Sequence, residues 1–319
     1  MNYLITGGAG FIGSTLVNRL AGDLNNQIWI VDDLSMGSLD NIVDMDKRNV
    51  QFIETSVTDQ TVMAKLLSEN QFDYIFHLAA VASVADSVAR PVETHEVNFE
   101  SVLQLLEFCR KYQSGLKRLV FASSAAVYGD EPTLPKQEES VIRPLTPYAV
   151  DKFAAERYVL NHYSLYNVPT SAVRFFNVYG PNQNPNSPYS GVLSILTDRF
   201  QKMLDQQDSQ FTVFGDGEQT RDFIFVEDVV DALLLVAGSA DSLGNVYNVG
   251  TGEATSLNAV IDLYGKIIGS EVPVVYQAGR EGDIPHSYAD NRRLVELGFA
   301  PKYTVASGIR TYLDSVLKK

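Results

Sequence analysis

The chain has 319 residues, 45% of them hydrophobic, and a formal net charge of -14 at pH 7. That is enough apolar material for one large core or two modest ones, and a field of that sign repels polyanions, which argues against nucleic acid and anionic membrane as partners. Met1 to Ile5 is too short for a signal peptide, and no run of about 18 apolar residues occurs, so a soluble, cytoplasmic protein is expected.

The first predicted strand, Tyr3 to Thr6, runs straight into Gly7-Gly8-Ala9-Gly10-Phe11-Ile12-Gly13, and helical periodicity follows over Phe11 to Ala21. Glycines at intervals of three permit a tight turn and let backbone N–H groups approach a pyrophosphate, whose charge the helix N-terminus favours. The second strand, Gln27 to Val31, ends on Asp32, 19 positions beyond Gly13. A carboxylate there can accept hydrogen bonds from an adenosine ribose and repels a 2'-phosphate, so NAD is favoured over NADP. A glycine-rich turn alone, or an acidic turn former alone, would bind nothing; the register of strand, glycines, helix and acid carries the reading.

Further strands are expected at Val50 to Glu54, Tyr74 to Leu78, Arg118 to Ser123 and Thr170 to Phe175, with helices at Asp59 to Ser68, Val92 to Tyr112 and Tyr148 to Tyr166. Strands alternating with helices imply an α/β fold with a doubly wound parallel (Rossmann) sheet. Cys109, alone in the chain, cannot close an internal disulfide and reads as a helix core position. After Asn177 the pattern changes to a Pro, Asn and Ser-rich stretch, shorter helices and isolated strands at Phe211 to Phe214 and Val272 to Tyr276. This reads as a smaller α/β substrate-binding domain formed by residues 177–221 and 251–319. The dinucleotide domain then takes residues 1–176 and about 222–250, since Asp222 to Ala237 looks like one more strand and helix returning to it.

Chemistry centres on Pro147-Tyr148-Ala149-Val150-Asp151-Lys152, which puts a phenol and an ammonium one helical turn apart in the only Tyr-x-x-x-Lys of the chain. A nearby cation is expected to lower the phenol pKa toward neutrality and make it a usable acid or base. The helix follows the Ser123-Ser124 strand end, where open sheets place ligands. His77 reads as a packing residue, and the four histidines form no metal-ligand cluster, so no metal is expected.

These residues resemble the extended short-chain dehydrogenase/reductases, specifically the UDP-hexose 4-epimerases. The resemblance runs from the glycine segment through His77-Leu78-Ala79-Ala80 and Ser123-Ser124-Ala125-Ala126-Val127-Tyr128-Gly129 to Arg174-Phe175-Phe176-Asn177-Val178-Tyr179-Gly180 and Arg221-Asp222-Phe223. It implies Tyr148 as catalytic acid/base, Ser124 as the hydroxyl bridging it to the sugar, and Lys152 as the group that holds the nicotinamide ribose and tunes Tyr148. By the same resemblance NAD lies on Gly7, Gly10, Phe11, Ile12, Gly13, Asp32, Leu78, Ala79, Ala80, Tyr148 and Lys152. The UDP-sugar is implied to lie on Ser83, Ser124, Asn177, Val192, Thr212, Phe214, Arg221, Arg280, Asp283 and Ser287, with the arginines on the pyrophosphate, Asp283 on a ribose and the Phe211 to Phe214 strand against the base. The implied reaction takes the proton from the sugar O4 and the hydride from C4, lets the 4-keto sugar turn, and returns the hydride to the other face.

Related dehydratases carry Asp-Glu after the strand-end hydroxyl and decarboxylases tend to Ser-Glu, where this chain has Ala125-Ala126; epimerisation is the reading left. The alternatives are a dehydratase or decarboxylase of the same fold, or a non-catalytic NAD-binding regulator. Ser287 stands where narrow glucose/galactose epimerases have a tyrosine, which opens room for an N-acetyl group at C2. UDP-GlcNAc/UDP-GalNAc is therefore an expected substrate, with UDP-glucose/UDP-galactose as a second expected pair. Departures from the family pattern are Thr55-Ser56 for Gly-Asp, Phe175 for tyrosine, and Asp151 for the frequent serine before the lysine. The Val92 to Tyr112 and Tyr148 to Tyr166 helices are implied to pair across a two-fold axis as a homodimer.

Overall fold

A computed structural model describes residues 1–43, 49–184, 191–279 and 283–317. In chain order the first strands are β1 (Asn2–Thr6), β2 (Gln27–Asp32), β3 (Val50–Glu54), β4 (Tyr74–His77), β5 (Arg118–Ser124), β6 (Thr170–Phe175) and β7 (Asn177–Tyr179). They are followed by β8 (Phe211–Phe214), β9 (Thr220–Arg221), β10 (Phe223–Phe225), β11 (Val246–Val249), β12 (Thr255–Ser256), β13 (Val274–Gln277) and β14 (His286–Ser287). The helices are α1 (Phe11–Ala21), α2 (Gln60–Glu69), α3 (Val84–Ala89), α4 (Pro91–His95), α5 (Ser101–Tyr112), α6 (Pro147–Tyr166), α7 (Val192–Leu204), α8 (Val226–Gly238), α9 (Leu257–Ile268), α10 (Arg292–Glu296) and α11 (Val305–Leu317).

Seven parallel strands form the central sheet in the order β11-β6-β5-β4-β1-β2-β3. Neighbouring residues on these strands go to opposite faces, as the pleat requires. Ile5, Phe76, Val120 and Val173 join α1 and α8 in one buried cluster. Leu4, Ile75, Leu119 and Ala172 join α2, α5 and α6 in the other. Both faces are covered, which is why the strands read as continuous apolar runs. The strand order reverses between β1 and β4, so the carboxyl ends of these two strands open the crevice where such sheets bind ligands.

A third apolar cluster lies among α7, α9, α11, β8 and β10. Here β8 pairs with β13, and β9 pairs with β12 and β14. The segment after Asp222 departs from expectation in its strand. β10 pairs with β7 rather than joining the central sheet, because its two phenylalanines, Phe223 and Phe225, pack in the third cluster while only Ile224 faces the first. The strand that joins the central sheet is β11, beside β6.

The expected helix over Val92 to Tyr112 is also altered. It begins at Pro91 and passes through a π-turn, Glu96–Glu100, before α5. The wider turn carries Asn98 inward, 1% exposed, where its side chain accepts from the Val81 N–H at 2.8 Å and donates to the Val81 carbonyl at 3.0 Å. That two-point clamp satisfies backbone groups of the segment leaving β4, which the sheet no longer pairs.

Candidate active site

The glycine turn after β1 is built for close approach. Gly7 has φ +70, and a methyl group added there would lie 2.7 Å from the Ala79 nitrogen. One added at Gly13 would lie 2.0 Å from the Gly7 carbonyl oxygen. The turn, the start of α1 at Phe11 and Ile12, and the segment after β4 are thus locked together. Leu78 and Ala79 add hydrogen bonds from their N–H groups to the Thr6 carbonyl and hydroxyl, at 3.1 and 3.3 Å. With Ala80 they stay half-buried beside the turn.

Asp32 ends β2 and is itself held, accepting from the N–H of Ala9 and of Leu34 at 2.9 Å each. Burial pushes its carboxyl up, and these bonds act against that. A glycine cradle that side chains would fill, facing a fixed carboxylate, fits a dinucleotide pyrophosphate and ribose. Ser56, in place of the familiar aspartate, spends its hydroxyl on Thr58, bonding to its Oγ1 at 2.9 Å and accepting from its N–H.

The catalytic candidates converge at the end of β5. Ser124 is the last residue of that strand and caps the short 3-10 turn Ala125–Tyr128, accepting from the Ala126 N–H at 3.2 Å. Across from it α6 starts where the sequence dictates: Thr146 caps it, accepting from the Ala149 N–H, and Pro147 fits the first turn. Tyr148 is thereby set in that first turn, 9% exposed, with Ser124 as the side chain that acts on its phenol. Lys152, one turn on and 3% exposed, donates from Nζ to the Ala122 carbonyl at 2.9 Å.

The electrostatics reverse one expectation. Burial raises the Tyr148 phenol, with only the Ser124 hydrogen bond lowering it. The same burial lowers Lys152 to about 7, against the pull of Asp151. A desolvated ammonium that gives up its proton near neutrality is a weak source of the field that was to draw the phenol down. His77 is buried, bonded through Nδ1 to the Thr6 hydroxyl at 2.9 Å and stacked on Phe121. Burial, and then the charge of Lys152, lower it to about 3, so it is a neutral packing residue at ordinary pH.

The residues assigned to the sugar nucleotide fall into separate groups. Arg221 on β9 and Ser287 on β14 are register partners, and Arg221 Nη2 donates to Asp283 Oδ1 at 3.2 Å, so two expected ligand contacts currently face each other. Burial lowers the Arg221 guanidinium. Asp222 fixes this corner: fully buried, it accepts from the N–H groups of Thr251, Gly252 and Ala289 and from the Thr251 hydroxyl. Thr212 and Phe214 lie half-buried on β8, Val192 starts α7, and Asn177 is exposed at the start of β7. Ser83 is buried as the cap of α3, accepting from the Asp86 N–H at 2.8 Å. Arg280 lies outside the described residues. A cavity of about 400 Å³ between Pro181, α7 and α11 contains none of these groups.

Several participants carry no motif. Asn98 holds the segment that leads from Ala80 to Ser83. Glu156, on the same face of α6 as Tyr148 and Lys152, accepts from the Ser123 hydroxyl at 2.7 Å and from Arg174 at 2.6 and 2.9 Å. A spacing of eight residues from Tyr148 to Glu156 along a helix was the available signal for it. No group of three or more His, Cys, Asp or Glu suited to a metal occurs among the described residues.

Fold, cradle and the Ser-Tyr-Lys constellation define a dinucleotide-dependent enzyme on a doubly wound sheet. The chain belongs to the NAD dependent epimerase/dehydratase family, whose model matches residues 3–250. It is 35% identical to a putative UDP-glucose 4-epimerase of Methanocaldococcus jannaschii, over 98% of this chain and 97% of that one. Among solved structures it is similar to a UDP-N-acetylglucosamine 4-epimerase from Methanobrevibacter ruminantium in complex with UDP-N-acetylmuramic acid, with TM-score 0.92, 34% identity and coverage of 99% and 98%. It is equally similar to a UDP-glucose 4-epimerase with UDP-glucose from Thermotoga maritima, with TM-score 0.91, 36% identity and coverage of 100% and 99%.

Proposed function

We propose that this chain is an NAD-dependent UDP-sugar 4-epimerase that accepts N-acetylated hexoses, UDP-GlcNAc and UDP-GalNAc, as well as the plain UDP-glucose and UDP-galactose. The observation that carries the reaction is the cluster of half-buried Ser124 with buried Tyr148 and Lys152 at the carboxyl end of β5, beside the glycine cradle. Bound NAD supplies the acceptor and donor of the C4 hydride. The chain's part is to move one proton and hold the sugar. Tyr148 takes the proton from O4 and returns it, Ser124 relays between that phenol and the sugar hydroxyl, and Lys152 holds the nicotinamide ribose beside them. Ala125 and Ala126 after Ser124 offer no further acid or base, which leaves elimination of water without its groups.

Substrate breadth rests on Ser287. It is half-buried on β14, directly beside Arg221 in register, so a hydroxymethyl group rather than a phenol ring borders this part of the site. We assign the nucleotide to residues 177–221 and 251–319 and the dinucleotide to the rest. A homodimer through the helical stretch from Val92 to Tyr112 and through α6 is part of the same reading, since Val92, Val150 and Tyr158 leave apolar surface exposed there.

Incubation with UDP-GalNAc, UDP-galactose and UDP-glucuronate, read by chromatography and mass, tests the assignment. Conversion of UDP-GalNAc to UDP-GlcNAc at unchanged mass is expected. Turnover of UDP-galactose alone would overturn the N-acetyl reading, and a loss of mass would overturn epimerisation. Tyr148→Phe should cost roughly 100-fold to 10,000-fold in turnover with the fold intact.

A further inference from the structure

Asn248 on β11 is fully buried, and both ends of its amide are engaged. Its Oδ1 accepts from the Tyr128 hydroxyl at 2.7 Å, and its Nδ2 donates to the carbonyls of Lys136 at 2.8 Å and of Asp290 at 3.3 Å. The orientation of the amide is dictated from outside. Arg174 can only donate, and its Nη1 gives a hydrogen bond to the Tyr128 oxygen at 2.8 Å, so the phenol's own hydrogen is left for Asn248. These bonds join stretches far apart in the chain. On one side, Tyr128 ends the 3-10 turn that Ser124 caps. On the other, Lys136 pairs with the segment that follows Ser287: its N–H donates to the Tyr288 carbonyl at 2.9 Å, and its carbonyl accepts from the Asp290 N–H at 2.7 Å. Lys136 is itself held, 1% exposed, with its ammonium bonded to the Glu131 carboxylate at 2.9 Å and to the Glu131 carbonyl. The end of β11 lies close against the same segment. A methyl group at Gly250 would sit 2.8 Å from Cβ of Ala289, and Asn291 Nδ2 donates to the Gly250 carbonyl at 3.0 Å.

We propose that Asn248 is a positioning residue that fixes the Ser287 to Asp290 segment against the Ser124 turn, so that the two sides of the sugar site stay at a set distance. This rests on the reading of the site given above. Epimerisation uses that distance twice. The sugar must lie against Ser124 and Tyr148 to give up its hydrogens, and the ketone must return to the same place, turned over, to regain the hydride. Apolar contact among Val127, Tyr128, Phe176 and Ala289 also draws these stretches together. That attraction is non-directional and sets no register; the bonds of Asn248 and Lys136 do. A site whose two sides can drift apart suffers most at the second placement, when the ketone is held by its nucleotide alone.

Asn248→Leu keeps the bulk and removes every side-chain bond, whereas Tyr128→Phe removes only the arm toward Ser124. Amide hydrogen exchange at Lys136 and Asp290 should quicken in Asn248→Leu, because their bridge loses its brace. With NAD content and UDP affinity retained, kcat should fall roughly 100-fold. Reduced nicotinamide, followed by its absorbance, should build up during turnover as 4-keto sugar escapes to solution before the hydride is returned. Tyr128→Phe should show the same build-up with a smaller fall in kcat. Thr170→Val is the control: it removes a buried hydroxyl bonded to the Val159 carbonyl at the amino end of β6, and should lower stability without moving exchange, kcat or the reduced fraction. Unchanged exchange with no reduced nicotinamide in Asn248→Leu overturns the proposal, and if that variant does not fold, absence of the build-up in Tyr128→Phe overturns it. Parallel losses of NAD, UDP affinity and melting temperature that account for the fall in kcat also overturn it, leaving Asn248 a residue of general stability. Quickened exchange in a chain whose wild type converts no UDP-sugar upholds the tie between the two segments and overturns instead the reading of the reaction.

Discussion

Lys152 Nζ lies 6.0 Å from the centre of the Tyr148 ring and gives its hydrogen bond to the Ala122 carbonyl. The two residues are one turn apart on α6, yet their direct communication is through position and field rather than a shared proton. The side chain that lowers the phenol is Ser124, on a different element. The site is thus a junction of β5 and α6, and its acid–base balance depends on how firmly these two are held and how dry they are.

Dryness gives a measurable linkage. Lys152 titrates near 7 in the native protein against 10.5 in its ordinary state. Between those values the unfolded chain binds a proton that the native protein does not, so native stability gains as pH rises through this window and is lost as pH falls toward 7. Lys152→Met removes the group from both states. Denaturation midpoints from neutral to mildly alkaline pH should climb more steeply for the wild type than for this variant. Parallel curves for the two proteins would show that Lys152 keeps an ordinary affinity for its proton.

The dinucleotide cradle makes a sharper demand. A methyl group at Gly13 would sit 2.0 Å from the Gly7 carbonyl oxygen, with no flexible side chain to give way. Gly13→Ala must therefore push α1 away from the turn that receives the pyrophosphate. Purified Gly13→Ala should carry little or no NAD, and titration with NAD by calorimetry should show affinity lower by at least about tenfold, roughly 1.4 kcal/mol. Gly22→Ala is the control, because its added methyl group lies 3.4 Å from the Arg19 carbonyl, close to ordinary contact. Equal NAD affinity in the two variants would remove the argument for close approach at Gly13.

How much of this could be read from the sequence follows from what each element buries. The strands of the central sheet are apolar on both sides, and the helix over Phe11 to Ala21 and the strands at Val50 to Glu54, Thr170 to Phe175 and Phe211 to Phe214 have the bounds their patterns imply. The inward face of α6 is different. It comprises Tyr148, Asp151, Lys152, Glu156 and His162 alongside Ala149, Ala155 and Val159. Five polar side chains on a buried stripe give no hydrophobic period, and only their partners, which come from other parts of the chain, explain why they lie inside. Ser124 and Tyr148 could be named because a motif carries them. Asn98 and Glu156 could not, because one depends on a π-turn and the other on Arg174 and Ser123 arriving from separate strands.

Glu156 offers the most direct test of that buried polar stripe. It is fully enclosed, Arg174 is 3% exposed, and together they carry Ser123 on one side and Tyr128 on the other, whose hydroxyl accepts from Arg174 at 2.8 Å and donates to Asn248 at 2.7 Å. This carboxylate raises the guanidinium against its burial, and an arginine's own affinity for its proton is high enough that it stays charged if the carboxylate is lost. Glu156→Gln leaves that charge buried without its counterion, and removing one member of such a pair costs about 3–5 kcal/mol. Urea denaturation should show a loss of that order. Because Glu156 fastens α6 to the end of β5, kcat should fall as well, through displacement of Tyr148 from Ser124. Replacing both partners, Glu156→Gln with Arg174→Met, should recover a good part of the stability, since the unpaired charge is then gone. A single Glu156→Gln variant that loses less than about 1 kcal/mol would mean that water or another acceptor reaches Arg174, and that α6 is fastened to the sheet by its apolar contacts alone.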